Sequence, residues 1–481
     1  MYKLAPLSAA IVLALAGQAM AADSSSSQTQ NGQENIAEVS QALAPFASAS
    51  QTQTGKGNNH LAVQAESTSD IQESANGQYN AGYAEQLFEN ASQITQHAAG
   101  SYNDAFASQS LGQGNQALQT QQGSGNTSTV WQDSQQGSQA TTWQSGQRNE
   151  AFIEQTFSGS NNRSTVNQTG QDNYAAAEHL GHLDGNIQIY QDGKGNWAYG
   201  DQRDGNGGTI GIGQYGGGNS VEVWQDSQTG SQAAVTQSGQ LNEGYIDQSF
   251  GTDNTVSLAQ QGTANASWSD QFETSNAITT ITQTGSNNLH FTYQNGENLN
   301  LTINTKGNGN SITASNWKGA KMGGQFGTNQ NATINQNGNG NGVNLTQNGD
   351  NQLATLSQKG TGNQMQTKQA ETNNELYFEQ NGTDNLLIAD QRGSDNYAYG
   401  NSQGTGNVIN LDQSGYSNQS YTHQLYGGGN EATIKQTDSI NVAYVTQGGQ
   451  GNKAFVDQSG VAQTATISQL GSGNLATVTQ Q

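Results

Sequence analysis

Histidine, glycine and acidic residues are the parts of this sequence that could carry chemistry, and their spacing decides whether they do. His179 and His182 would begin a metal site, but no second ligand pair stands at compatible spacing and the chain has no cysteine. Gly211-Ile-Gly213-Gln-Tyr-Gly216 satisfies a dinucleotide fingerprint letter by letter. That fingerprint works only where a strand passes into a helix whose N-terminus receives the pyrophosphate, so here it is read as a glycine-rich turn. Asp184-Gly185, Asp192-Gly193 and Asp204-Gly205 are similar to calcium-binding turns of β-solenoids, but the nonapeptide that defines those turns is not repeated. Turn chemistry is the expectation for them. No Ser, His and Asp set recurs in a fixed relation, so we expect no catalytic residue, no metal, no cofactor and no enzymatic activity.

The elements that would position such residues must be unusual, because only 31% of the chain is hydrophobic while 62 residues are glycine. A composition so poor in apolar surface does not offset chain entropy by an ordinary core, and without periodicity it would stay disordered. Lys and Arg number 14 against 37 Asp and Glu, a net charge of -23. That leaves no cationic footprint for nucleic acid, and self-repulsion keeps unassembled chains apart. Lys3, the apolar run Leu7–Gly17 and the small-residue pattern Ala19-Met20-Ala21 read as a secretory signal over residues 1–21. The run is too short to span a bilayer, and no later segment approaches it in apolar character. Export is therefore expected, and not integration into a membrane. Without cysteine there are no disulfides to stabilise an exported chain, so regularity must do so.

Glutamine supplies the regularity. Gln336, Gln347, Gln358, Gln369, Gln380 and Gln391 follow in steps of 11. Downstream come Gln403, Gln413, Gln424, Gln436, Gln447, Gln458, Gln469 and Gln480. Upstream, Gln294 back to Gln191 alternates steps of 11 and 12, and the series starts near Gln86 or Gln96. From 96 to 480 there are 34 steps over 384 residues. His179, Thr305 and Asn316 are read as occupying three of the slots, and the step of 9 from Asn316 to Gln325 marks Trp317–Gly324 as an irregular rung or a break.

Within a step, parity identifies the element. Asn452, Ala454, Val456 and Gln458 stand at i, i+2, i+4 and i+6, so an extended chain points all four to one face. Asn149, Ala151, Ile153 and Gln155 repeat the pattern, as do Asn430, Ala432, Ile434 and Gln436, and Asn407, Ile409, Leu411 and Gln413. Each step is a strand and a tight turn, with Gly supplying positive φ and Asn tolerating it. Two steps make one coil of 22 or 23 residues, about 17 coils in all, stacked at about 4.8 Å. The fold class expected is thus all-β: a β-solenoid of stacked strand-turn-strand coils, amyloid-forming, whose inward amides hydrogen-bond along the axis. Pro6 and Pro45 precede the array and none follows, as befits strands whose every N–H is used. Outward aromatics (Trp131, Trp143, Trp224, Tyr245, Tyr444) suit strands. Outward Glu154, Asp247 and Asp457 act as gatekeepers against premature aggregation.

The array resembles the curlin repeat of bacterial curli fibres, Gln-x-Gly-x-x-Asn-x-Ala-x-x-x-Gln. Gln447, Gly449, Asn452, Ala454 and Gln458 fit it, as do Gln469, Gly471, Asn474, Ala476 and Gln480, and Gln144, Gly146, Asn149, Ala151 and Gln155. With Val456 and Val478 these residues form the expected structural ladder. The likeness covers residues 86–481 and leaves 22–85 as a Ser/Gln/Ala-rich leader with imperfect repeats. It implies a secreted fibre subunit of the biofilm matrix, with itself, a nucleator subunit and an outer-membrane secretion channel as partners. A solenoid adhesin or ligand-binding protein that never polymerises is the alternative from another class, and a minor nucleator of the same fibre is a third reading.

Overall fold

The computed structural model describes residues 23–315 and 323–481. The predicted signal segment lies outside the described residues, as do Asn316 and the stretch 317–322. Among the described residues the chain forms strands and turns and no helix: 41 strands run from Ser25–Gln33 to Leu475–Gln480. Away from one divided rung and the two end coils, each strand pairs with the strand two places before and two places after it in sequence, and every pairing is parallel. Ser48–Lys56, for example, lies between Ser25–Gln33 and Thr68–Gln78. Alternate strands therefore build two facing sheets, the first of 20 strands.

The second sheet counts one strand more because a single rung is divided. Ser311–Ala314 and Gly324–Thr328 both lie between Leu289–Glu297 and Gly342–Asp350. The circuit of pairings that results is local to these four strands and closes no barrel. The column thus has 20 coils, against the 17 expected. Counting from Gln96 omitted the first coils, since Ser25–Gln33 and Ile36–Ala42 already stack under Ser48–Lys56 and Asn59–Ala65. Strands run on through 48–87, inside the segment set apart as a leader.

Period-two alternation forces this arrangement. In Lys453–Val461, Ala454, Val456 and Gln458 are buried while Lys453 and Asp457 are exposed. Each sheet contributes two inward columns of small or aliphatic residues between its amides. The longest aliphatic column is in the first sheet: Val166, Ile189, Ile212, Val235, Leu258, Ile281, Ile303, Ile334 and Leu356 lie over one another, all buried. Each such burial stabilises by about 1.5–3 kcal/mol. Bulk is balanced by absence, across the narrow interior where Gly244 lies against Leu258, and along one column where Gly400 lies against Phe378 of the preceding coil. Followed toward the N-terminus, the same column turns polar: Thr142, Gln119, Gln96, Glu73 and Gln51. The first coils are therefore held by hydrogen bonds where later ones are held by aliphatic contact.

Candidate functional site: inward ladders and open ends

Ladders of three kinds run along the axis, and every sequence-predicted site residue stands on one of them or on the aliphatic columns between. The first is the turn from the first sheet into the second, where one asparagine per coil, from Asn35 to Asn474, stacks without interruption. Asn265 shows the pattern. Its backbone N–H and its Nδ2 donate to Asn242 Oδ1 at 3.2 and 3.1 Å, and Nδ2 donates again to the Gly285 carbonyl at 2.9 Å. One side chain ties three coils together. Asn452 repeats it at the C-terminal end, and Asn474, on the last coil, repeats the two bonds to the coil before.

Glutamine forms two parallel ladders, one per sheet. Gln447 Nε2 donates to Gln469 Oε1 at 3.0 Å in the first sheet, and Gln458 Nε2 to Gln480 Oε1 at 2.8 Å in the second. The remaining hydrogen crosses the interior: Gln447 reaches the Glu431 carbonyl at 2.8 Å and Gln458 the Val442 carbonyl at 3.2 Å. Each glutamine so links consecutive coils and also the two sheets. Ala454, Val456, Ala476 and Val478 lie between the amides; the first two are buried and the last two half-buried on the terminal coil.

The third kind is glycine. Each first-sheet strand carries one, Gly449 and Gly471 among them, at φ between 97 and 138°. A Cβ on Gly449 would fall far inside van der Waals contact of the Gly471 carbonyl oxygen. These glycines were expected only as turn formers; their stricter requirement is the close approach of the next coil's backbone, which a single sequence step does not reveal.

Two ladder assignments need correction. Gln96 stands over Gln119 and Glu73 in the polar inward column, while Ala75 and Ala98 take the amide slots of those coils. Gln403 is exposed, and Ser402 takes its slot, donating to Gln424 Oε1 at 2.7 Å. Gln325 fills its slot in the divided rung: Gln294 donates to it at 2.7 Å and it donates to Gln347 at 2.8 Å. For Gln96 and Gln403 parity and register set the slot, whereas letter counting tolerated an error of one or two residues. Thr305 does occupy a slot, bonded to Gln336 Oε1 and to His290 Nε2.

His179 takes the one non-amide slot of the second-sheet ladder, between Gln155 and Gln202. Its Nδ1 meets Ser164 Oγ at 3.0 Å, and its ring centroid lies 6.0 Å from that of His182, whose Nε2 meets the Gly207 carbonyl at 2.7 Å. Burial lowers the His179 pKa from 6.5 to about 3. The folded coil consequently binds fewer protons than the unfolded chain between those values, and stability falls as pH drops below 6.5. His179→Gln should restore a continuous amide ladder, raise stability by about 1 kcal/mol at neutral pH, and remove one proton's share of acid sensitivity. Denaturant midpoints at pH 7 and pH 5 check this; an equal drop between the two pH values in both proteins would refute it.

Gly211, Gly213 and Gly216 lie inside the strand Thr209–Gly217, with Ile212 and Gln214 inward. Asp184 and Asp204 hold positive φ in turns. Outside, the second sheet's flank joins aromatics and acids in register. Tyr83 stacks on Phe106 at 5.2 Å, Phe106 meets Trp131 at 4.8 Å, and Tyr199 meets Trp224 at 5.0 Å. Asp201, buried, pairs with Arg203, whose guanidinium lies 5.0 Å from the Trp224 ring centroid. Burial raises the Asp247 pKa, and burial with the Asp247 charge pushes Asp270 up to about 7.

Among the described residues nothing covers the two end coils. Ser25–Gln33 is exposed throughout, and the inward residues of Ile36–Ala42 and Leu475–Gln480 are at best half-buried. The end coils correspond residue by residue: Gln30, Gly32, Asn35, Ala37, Val39 and Gln41 match Gln469, Gly471, Asn474, Ala476, Val478 and Gln480. Because each glutamine donates toward the next coil, the N-terminal coil presents Oε1 acceptors and the C-terminal coil Nε2 donors.

Six segments of the chain, 136–170, 186–216, 229–262, 251–285, 404–437 and 451–481, match the family described as the curlin associated repeat. No curated protein matches the chain. No helix among the described residues is long and apolar enough to cross a membrane.

Proposed function

The chain is a curlin-repeat protein, and from that premise we propose that it is a secreted structural subunit, without catalytic activity, that polymerises into extracellular amyloid fibres of the curli type. One observation carries the reading: the two open ends are complementary in register and in hydrogen-bond polarity. Ser25–Gln33 and Ile36–Ala42 of one molecule extend the sheets of the Thr464–Gln480 coil of the next, with glycine over glycine and asparagine over asparagine. An uncapped parallel edge of this kind is a template for another chain. The fibre would serve cell adhesion and the biofilm matrix. Family likeness supports a nucleator subunit as its starting partner and an outer-membrane channel as its exit.

The purified chain should assemble unaided into fibres whose diffraction shows reflections near 4.7 and 10 Å. Gln458→Ala combined with Gln480→Ala should lengthen the lag, since the C-terminal face loses its amide donor, while outward Asp457→Ala should leave it unchanged. A chain that remains monomeric on size exclusion for days would end the proposal and favour a solitary solenoid whose aromatic flank binds ligand. Equal lags for the two variants would count against end-to-end stacking.

A further inference from the structure

The polar column of the first coils contains one residue that does not belong to an amide ladder as such. Gln28 Nε2 donates to Gln51 Oε1 at 3.1 Å, and Gln51 Nε2 to Glu73 Oε2 at 2.7 Å. Beyond Glu73 the chain of donors resumes: Gln96 Nε2 donates to Gln119 Oε1 at 2.8 Å and to the Tyr83 carbonyl at 2.9 Å. Those two bonds fix the Gln96 amide so that its Oε1 turns back toward Glu73. Two oxygens, Glu73 Oε1 and Gln96 Oε1, thus border the same small space, buried and without a partner, each 3.0 Å from where a Cβ of Gly82 would stand. Two acceptors cannot bond, and an ionised carboxylate has only acceptors, whereas a protonated one carries a single O–H donor.

We propose that Glu73 is a proton-binding site built into the ladder: its carboxyl is protonated in the folded coil, its O–H donates to Gln96 Oε1, and loss of that proton opens the N-terminal coils. The bond count requires one hydrogen at this place and the glutamines on either side cannot supply it. The neighbours supply no countercharge. On the strands packed around Glu73, the inward residues are Gln51 and Gln53 on Ser48–Lys56, Ile94 and Gln96 on Asn90–Ser101, and Gly82, Ala84 and Gln86 on Ala81–Leu87. Asn59–Ala65 contributes His60, the one titratable group among them, whose ring nitrogens are also unpartnered. Burial lowers the His60 pKa to about 4, so it stays neutral at higher pH, and burial raises that of Glu73 from 4.5 to about 8, opposed by the Gln51 hydrogen bond. The sign follows: the folded coil binds a proton that the unfolded chain releases between pH 4.5 and about 8, so these coils lose stability as pH rises through that window.

This inference stands on one coil's interior and holds whether or not the chain polymerises. Glu73→Gln supplies the missing hydrogen as an amide. In the full chain, amide protection factors of residues 48–101 should fall by up to roughly tenfold per pH unit between pH 5 and 8, and E73Q should flatten that fall. Residues 331–383, whose inward side chains do not titrate, serve as an internal reference in the wild-type protein. The infrared difference between wild type and E73Q at pH 6 should contain the carbonyl stretch of a protonated carboxyl. A parallel pH response in 48–101 and 331–383, an unchanged profile in E73Q, or no protonated-carboxyl band would overturn the assignment.

Discussion

Gly262→Ala should destabilise the solenoid by roughly 3 kcal/mol or more, the sum of a glycine-only backbone region and a backbone collision. Gly262 holds φ at 122°, and its added Cβ would run into the Gly285 carbonyl oxygen, which belongs to the next coil and cannot swing away without breaking the sheet. Gly211 is the control. It lies in the same sheet, its φ is not in the left-handed region, and a Cβ there meets nothing within 4 Å. Gly211→Ala should therefore be neutral or slightly stabilising, because a strand interior gains from a side chain. Denaturant unfolding of the two variants decides the matter; similar losses would mean that the glycines serve only as flexible turns.

Asn242→Leu should cost on the order of 4 kcal/mol, since it removes a side chain that serves three coils at once. It leaves the buried Asn265 N–H without an acceptor and removes one bond each from Asn265 Nδ2, from Asn219 Oδ1, which keeps the backbone N–H of residue 242, and from the Gly262 carbonyl. In a stacked array such damage spreads to the nearest neighbours first. Amide protection should fall most in 219–265 and least near either end. Asn304→Leu, on the exposed outer face where its Nδ2 bonds only Asn335, should change stability by no more than about 0.5 kcal/mol. If both variants behave alike, the asparagine ladder is not what holds the turn.

How far these features are legible in the sequence depends on whether parity or register governs them. Asn452, Ala454, Val456 and Gln458 announce their common face by alternation alone, because a strand leaves no other choice. Register is harder, since it depends on turns of unequal length. The second-sheet turn takes one residue more in the first half of the chain than in most of the second, so coils shorten from 23 to 22 residues. Gln403 looked acceptable by count and lies one residue off, on the outward parity. The coils before Gln86 were hidden because Ala75 and Ala98 stand where glutamine was sought. Glu73 is visible as one letter among Gln51, Gln96 and Gln119 once the coils are aligned, but its meaning needs the two unpartnered oxygens. The glycine requirement was least legible, as it arises from a carbonyl 23 residues away.

The divided rung has a consequence for tolerance to insertion. Thirty-one residues separate Gln294 from Gln325 where most neighbours are 22 or 23 apart, yet the bond between them is as short as any in the ladder. The amide column thus passes through the divided rung unbroken, although the chain between these two neighbours is longer than between the others. Such a place is a natural graft point: a foreign epitope or enzyme spliced between Ala314 and Gly324, where the ladder already accepts a longer interval, would be carried at one copy per molecule with both end coils unaltered.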